Sequence, residues 1–178
     1  DALYPNWICL AYPPEFGKYL KWQWEKKVIP FWKEITKKLK KYRIRYGLEM
    51  HPGDSVYNTS SLLKLREEVG AEEIGCCFDP THLFWQGIDP IASIKSLGDC
   101  LKSNFGGFLE FGEEVSNVDG VLDSKDYGDV ANRAWNLRLV GYGHREEIWK
   151  KIISTLRLVG YDGTLSIEHQ DALISKKE

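Results

Sequence analysis

Three carboxylates in this sequence occupy the same kind of place. Glu49 in YGLEMHP, Asp79 in GCCFDPTH and Glu168 in TLSIEHQ each follow an apolar run, and each has a histidine one to three residues later: His51, His82 and His169. An apolar run that stops at an acid reads as a buried strand holding a charge at its mouth. Where parallel strands alternate with helices, the carboxyl ends of the strands share one face, and sites are built there. Three carboxylates meeting on that face repel one another unless a shared proton, a basic partner or a cation joins them. An oxygen-rich set of this kind suits a hard or borderline divalent ion such as Mg²⁺ or Mn²⁺, and one added imidazole tilts it toward Mn²⁺ or Co²⁺. Each acid alone would be an ordinary cap or turn residue. Each histidine alone would be a packing residue or an outer partner of a ligand. It is the recurrence on three strands that favours a metal.

The elements that must position these acids follow a strand–helix rhythm. NWICLAYPP (6–14) is a short apolar run closed by prolines, and RIRYGLEMHPGD (43–54) reads as strand then turn. Between them Val28, Phe31, Trp32, Ile35 and Leu39 recur at spacings of three and four, one face of a helix that Pro30 should start or kink. A helix is predicted from Ser60 to Val69, stopped by Gly70. The strand ending at Asp79 comes next, then a helix with Asp89 as N-cap and Pro90 at its first position, ending near Gly98. Ile148, Trp149, Ile152, Ile153, Leu156 and Val159 mark a late amphipathic helix closed by Gly160, and DGTLSIEHQD (162–171) is the last strand and turn. This rhythm means βα units and a parallel sheet. From Asp99 to His144 it breaks; a strand is expected within 100–111, followed by a long excursion.

Composition narrows the function classes. The 178 residues suffice for one domain or a piece of one, and a formal charge of −2 speaks against a dedicated binder of nucleic acid or acidic membrane. No apolar stretch is long enough to span a bilayer. Four cysteines without a CxxC pair, two of them adjacent in a predicted strand, read as reduced thiols of a cytoplasmic protein. Seven Trp and nine Tyr suit a core, and also a pocket that stacks on the apolar faces of sugars.

The stretches GLEMHPGDSVYN, IGCCFDPTHLFWQGIDPIASIKSLGD, GVLDSKDYGDVANRAWNLRLVGYGH and LRLVGYDGTLSIEHQD resemble the sugar phosphate isomerase/epimerase family, with its xylose-isomerase-like TIM barrel. FDPTHLFWQG and SIEH carry most of the resemblance. It implies an α/β fold of the (β/α)₈ TIM-barrel type, taken as a single partial domain over 1–178. It also implies a divalent metal (Mn²⁺, Mg²⁺ or Co²⁺) held by Glu49, Asp79 and Glu168, with a small-molecule sugar as partner. His82 and His51 would then lie near the substrate or behind the ligands. In epimerase-type relatives the two glutamates also carry the proton beside a polarised carbonyl, so Glu49, Glu168 and His82 are the catalytic candidates. His51, Trp85 and His144 are the substrate-binding candidates, His144 being either structural or at the pocket rim. Xylose-isomerase relatives instead shift a hydride between two metals, and the sequence leaves both routes open.

Two departures matter. In the family a histidine on the seventh strand completes the ligand set, but here the matching stretch reads CLKSNFGGFLEFGEE. The expected position is near Ser103 to Phe105, and no histidine occurs from 83 to 143. Glu110 repeats the apolar-then-acid pattern and is a candidate substitute. The second departure is length: a full barrel needs ~250 residues. The chain begins near the family's fourth strand, so only the C-terminal four to five βα units are expected. Either it is a fragment missing the N-terminal half of the barrel, or a homo-oligomer completes it.

Two other functions compete. A non-catalytic sugar-binding remnant would keep the fold and an aromatic pocket of Trp85, Trp135 and Tyr142 without the metal. A nuclease of the endonuclease IV type would use the cationic run KEITKKLKKYRIR (33–45). Those lysines lie opposite Phe31, Trp32, Ile35 and Leu39, as on any solvated helix face, and four histidines are too few for three zincs.

Overall fold

The computed structural model of the chain describes residues 7–101, 108–109, 113–115 and 119–174, with the backbone alone at 108–109 and 113–115. It opens with a long helical rod: α1 (Phe16–Gln23), a π-helical turn (Trp24–Val28) and α2 (Ile29–Tyr42). Pro30 was expected to start or kink this helix. It does stand at the start of α2, directly after the π-helical turn in which the ladder widens. The Ile29 N–H reaches back five residues to the Trp24 carbonyl, and Pro30 sits in the first turn of α2, where no N–H is required. Trp24, Val28 and Leu39 are buried, whereas Phe31 of the predicted apolar face is exposed.

The apolar run near the start forms no strand. A side chain stands in for a neighbour there: buried Gln23 donates from Nε2 to the Ile8 carbonyl and accepts the Ile8 N–H at Oε1, both at 3.0 Å. That pair satisfies the backbone as an adjoining strand would.

Two parallel ladders follow the predicted rhythm. β1 (Tyr46–Glu49) pairs with β2 (Ile74–Cys77) in the register Tyr46↔Ile74 to Glu49↔Cys77. Between them α3 (Thr59–Val69) is started by a capping box. Asn58 accepts the Ser61 N–H at 2.9 Å, and Ser61 Oγ accepts the Asn58 N–H at 3.0 Å. Gly70 ends α3 in the left-handed region, where a Cβ would be strained. After β2 come α4 (Pro80–Trp85), α5 (Pro90–Leu97) and a 3₁₀ turn (Gly98–Leu101). The short strand β3 (Phe108–Leu109) pairs in parallel with β6 (Ser166–Ile167), crossing over through α6 (Glu146–Leu158). Within the long excursion, β4 (Glu113–Val115) and β5 (Trp135–Leu137) form a small antiparallel pair.

The core lies between the sheet and its helices. β2 is buried along its whole length, and Leu62, Leu65, Leu83, Ile94, Leu97 and Ile152 from the surrounding helices close over it. Each such aliphatic side chain contributes about 1.5–3 kcal/mol of burial, enough to make β2 the fixed axis of the chain. All four cysteines are free of disulfides. Among the described residues no helix is long and apolar enough to cross a membrane.

Candidate functional site

Local rules aim two of the acids. Glu49 is the last residue of β1, opposite Cys77 in the ladder. Asp79 lies two residues past that register on the neighbouring strand and caps α4: its Oδ1 accepts the Thr81 N–H at 2.8 Å, and Pro80 fixes the first turn. Its side chain is almost fully buried, at 1% exposure. One turn into α4, His82 points back at both acids, its Nε2 lying 3.1 Å from Glu49 Oε1 and 3.2 Å from Asp79 Oδ2. Ligand atoms of Glu49, Asp79 and His82 all lie within 4.8 Å of one another.

The histidine tautomers follow from their partners. A nitrogen facing two carboxylate oxygens carries the proton, so His82 Nε2 donates. His51 Nδ1 lies 2.9 Å from the Pro52 carbonyl, which can only accept, so that nitrogen donates too. The two imidazoles meet at 4.1 Å between centroids, their planes inclined at 53°. The hydrogen bond from His82 holds the Glu49 carboxyl below its ordinary value; burial opposes this, and the charges of His82 and His51 reinforce it.

A cavity of about 1080 Å³ opens above these groups. Glu49, His51 and His82 form its floor, while Glu168 and Gln170 enter from beyond β6. Glu168 accepts a 3.0 Å hydrogen bond from Gln170 Nε2 at Oε2. It shares the cavity with Glu49 but stands outside the 4.8 Å group. Aromatic side chains make one wall: Trp85 meets Trp135 edge-on at 6.0 Å, and Tyr127 lies 6.1 Å from Trp135. The Arg133 guanidinium lies over both Tyr127 (4.3 Å) and Trp135 (5.0 Å). It also donates to the Tyr127 carbonyl and to Asn136, so it fixes the wall from behind.

The remaining sequence candidates fall elsewhere. His144 stacks on Phe84 at 3.8 Å and does not line the cavity, which is the structural of its two expected positions. Burial lowers its readiness to take a proton. Tyr142 is exposed and also absent from the cavity wall, so Tyr127 replaces it in the aromatic set. Glu110 and the stretch Ser103 to Phe105 lie outside the described residues.

Sequence reasoning missed the parts that hold the site together. Gln86 Nε2 bridges the Tyr57 and His82 carbonyls at 2.8 Å each, tying the end of α4 to the loop after β1. Asp171 is buried and accepts from Arg138 Nε (2.9 Å), Leu139 N–H (2.9 Å) and Leu173 N–H (2.8 Å). It thereby pins the segment after β6, which carries Glu168, to the segment after β5. The one available signal was that Asp171 closes the same SIEHQD stretch as Glu168.

Residues 6–178 match the family described as xylose isomerase-like TIM barrel. An uncharacterized protein of Bacillus subtilis, YfiH, is 36% identical over 178 residues, covering 98% of this chain and 56% of its own length. Among solved structures, a probable 3-DHS dehydratase, AsbF, of Bacillus anthracis superposes with a TM-score of 0.57 at 19% identity, over 79% of this chain and 48% of its own. An L-ribulose 3-epimerase superposes at 0.55 and 16%, over 87% and 43%. IOLI, a protein with a bound zinc atom, superposes at 0.56 and 16%, over 83% and 48%. The chain thus spans about half the length of the proteins it matches.

Proposed function

Because this chain belongs to the xylose isomerase-like TIM barrel family, we propose that it works as a metal-dependent sugar isomerase or epimerase. The observation that carries this reading is the convergence of Glu49, Asp79 and His82 at the strand ends, beneath a cavity with an aromatic wall. The donors suit a divalent ion: two carboxylates, one of them buried and one held ionised, beside an imidazole. In this reading Glu49, Asp79 and Glu168 would hold the cation. Bound there, it would polarise a substrate carbonyl and so acidify the neighbouring C–H.

The chain's own residues would do the rest. Glu49, whose carboxyl the His82 hydrogen bond holds below its ordinary value, is set to accept a proton from the carbon beside the carbonyl. Glu168, which lines the same cavity outside the Glu49–Asp79–His82 group and is steadied by Gln170, is set to return one to the other face. Trp85, Trp135 and Tyr127 offer apolar faces to the C–H side of a sugar ring, while His51 stands at the polar floor.

The test is solvent exchange. The Mn²⁺-loaded protein is incubated in D₂O with a panel of free and phosphorylated ketoses. Deuterium should appear at the carbon beside the carbonyl, a chelator should abolish it, and Glu168→Gln should slow it about 100-fold or more. Isomerised product without deuterium would indicate a hydride shift instead. Sugar binding without any turnover would favour the non-catalytic module.

A further inference from the structure

The cavity has a second apolar wall that the chemistry above does not use. Trp7, Ile8 and Leu10, in the segment before α1, line it together with Phe16, the first residue of α1. They come from a different stretch of chain than Trp85, Tyr127 and Trp135, so the apolar lining has two parts. Leu10 is 63% exposed, and Trp7, Ile8 and Phe16 are half-buried. Single exposed apolar side chains are ordinary on a protein surface. These four instead border one cavity, whose floor carries Glu49 and His51.

This wall is clamped although it belongs to no strand. The Trp7 N–H donates to the Gly53 carbonyl at 3.2 Å, and Gln23 holds both backbone groups of Ile8 at 3.0 Å. The Tyr57 hydroxyl donates to the Cys9 carbonyl at 3.0 Å, and the Cys9 thiol donates to the Asp54 carbonyl at 3.3 Å. Gly53, Asp54 and Tyr57 all follow β1 in the loop that carries His51. The second wall is therefore tied to the polar floor and fixed before any ligand arrives, which lowers the entropy cost of binding there.

We propose that Trp7, Ile8, Leu10 and Phe16 form a subsite for an apolar group of aromatic size attached to the sugar, so that the ligand is a substituted sugar rather than a bare or phosphorylated one. This rests on the sugar site proposed above and goes beyond it by naming what the sugar carries. The cavity, at about 1080 Å³, slightly exceeds the range of about 300–1,000 Å³ that drug-sized ligands fill, which leaves room beyond a single ring. The hydroxyls of a bare polyol would lose water against this lining without gaining partners. A phosphate fits worse. Among the described residues that line the cavity there are two carboxylates, Glu49 and Glu168, and no Lys or Arg. The Arg133 guanidinium is engaged behind the first wall, over Tyr127 and Trp135. A phosphate dianion would meet like charge in this cavity.

The experiment reads binding and needs no turnover. The purified chain is titrated by calorimetry with the phenyl and methyl glycosides of D-glucose, D-galactose and D-mannose, and with the 6-phosphates of the same sugars. In at least one pair the phenyl glycoside should bind about 10-fold or more tightly than its methyl partner, and no 6-phosphate should bind better than the methyl glycoside. Leu10→Ser and Phe16→Ser should each lose most of the phenyl preference while methyl glycoside affinity stays within about 2-fold. Leu10 is exposed, so its variant should fold as the wild type does, and circular dichroism checks both. Leu158→Ser, exposed on α6 and off the cavity, should keep the preference. Equal affinities within every pair, a tighter 6-phosphate, no glycoside binding at all, or a phenyl preference that both variants retain would each overturn the subsite. Deuterium exchange into ketoses in any of those cases would leave the isomerase reading standing. A phenyl preference lost in the variants, without exchange into any ketose, would keep the subsite and remove the isomerase.

Discussion

The carboxylates at the end of β1 and beyond β6 border the same cavity, and Asp79 past β2 stands beside the first, yet the three are held by different means. Asp79 is placed by a fully buried strand, a helix cap and a proline, all within a few residues of itself. Glu168 follows a two-residue strand whose Ile167 is 65% exposed, and its segment is anchored by an ion pair from Asp171 to Arg138. The first region gets its geometry from burial and local backbone rules. The second gets it from a charged contact between segments far apart in sequence. A site can therefore be half rigid by packing and half rigid by electrostatics, and the halves should fail differently.

Cutting into the packed half should do the most damage. Leu83 on α4 is completely buried beside His82. Leu83→Ala should cost about 4 kcal/mol, from lost transfer energy and the cavity left behind. Urea unfolding measures it, and a loss under about 1 kcal/mol would mean that β2 and α4 are not the packed axis described.

The electrostatic half should be weaker and sensitive to acid. Asp171→Asn should cost about 2–3 kcal/mol, because Arg138 loses a buried partner. Burial alone would raise the Asp171 carboxyl, but the Leu139 and Leu173 N–H groups and Arg138 outweigh it and bring it below the ordinary value. A folded value below the unfolded one gives stability that is present above the ordinary aspartate range and lost as pH falls through the folded value. The gap between wild type and variant should therefore narrow as pH drops from neutral into the acid range. A gap that stays constant with pH would remove the electrostatic account.

The smallest effect belongs to β6 itself. Ile167→Ala should change stability by less than about 0.5 kcal/mol, as exposed positions do. A loss above about 1.5 kcal/mol in the same denaturation experiment would show this strand covered by further chain, and the contrast between the two regions would shrink.

Much of the packed half was legible beforehand. The Asp89–Pro90 start, the Gly70 and Gly160 stops and the apolar spacing of α6 all use interactions confined to a turn or two, so neighbouring letters reveal them. Pro30 marked the start of α2 as its chemistry suggests, but the π-helical turn that joins α1 to it had no signal in the spacing. The apolar run near the start gave no sign that Gln23 would take up the Ile8 backbone groups, a contact fifteen residues away. Tyr127, Arg133 and Gln86 escaped notice because their roles rest on partners that no fixed spacing announces.

What the sequence determined by itself was chemical type and local placement: acids directly after apolar runs, the Asp89 cap and Gly70 stop of two helices, and an imidazole one helical turn from Asp79. What only the tertiary structure decided was company. Parallel pairing of β1 with β2 brings Glu49 to the Asp79–His82 turn, and His82, among four histidines, is the one whose ring nitrogen meets both acids. The physical reason is range. Caps and periodicity act along a few residues of chain, whereas the ladder register and the crossing of Arg138 to Asp171 join residues about thirty apart, which no local pattern encodes.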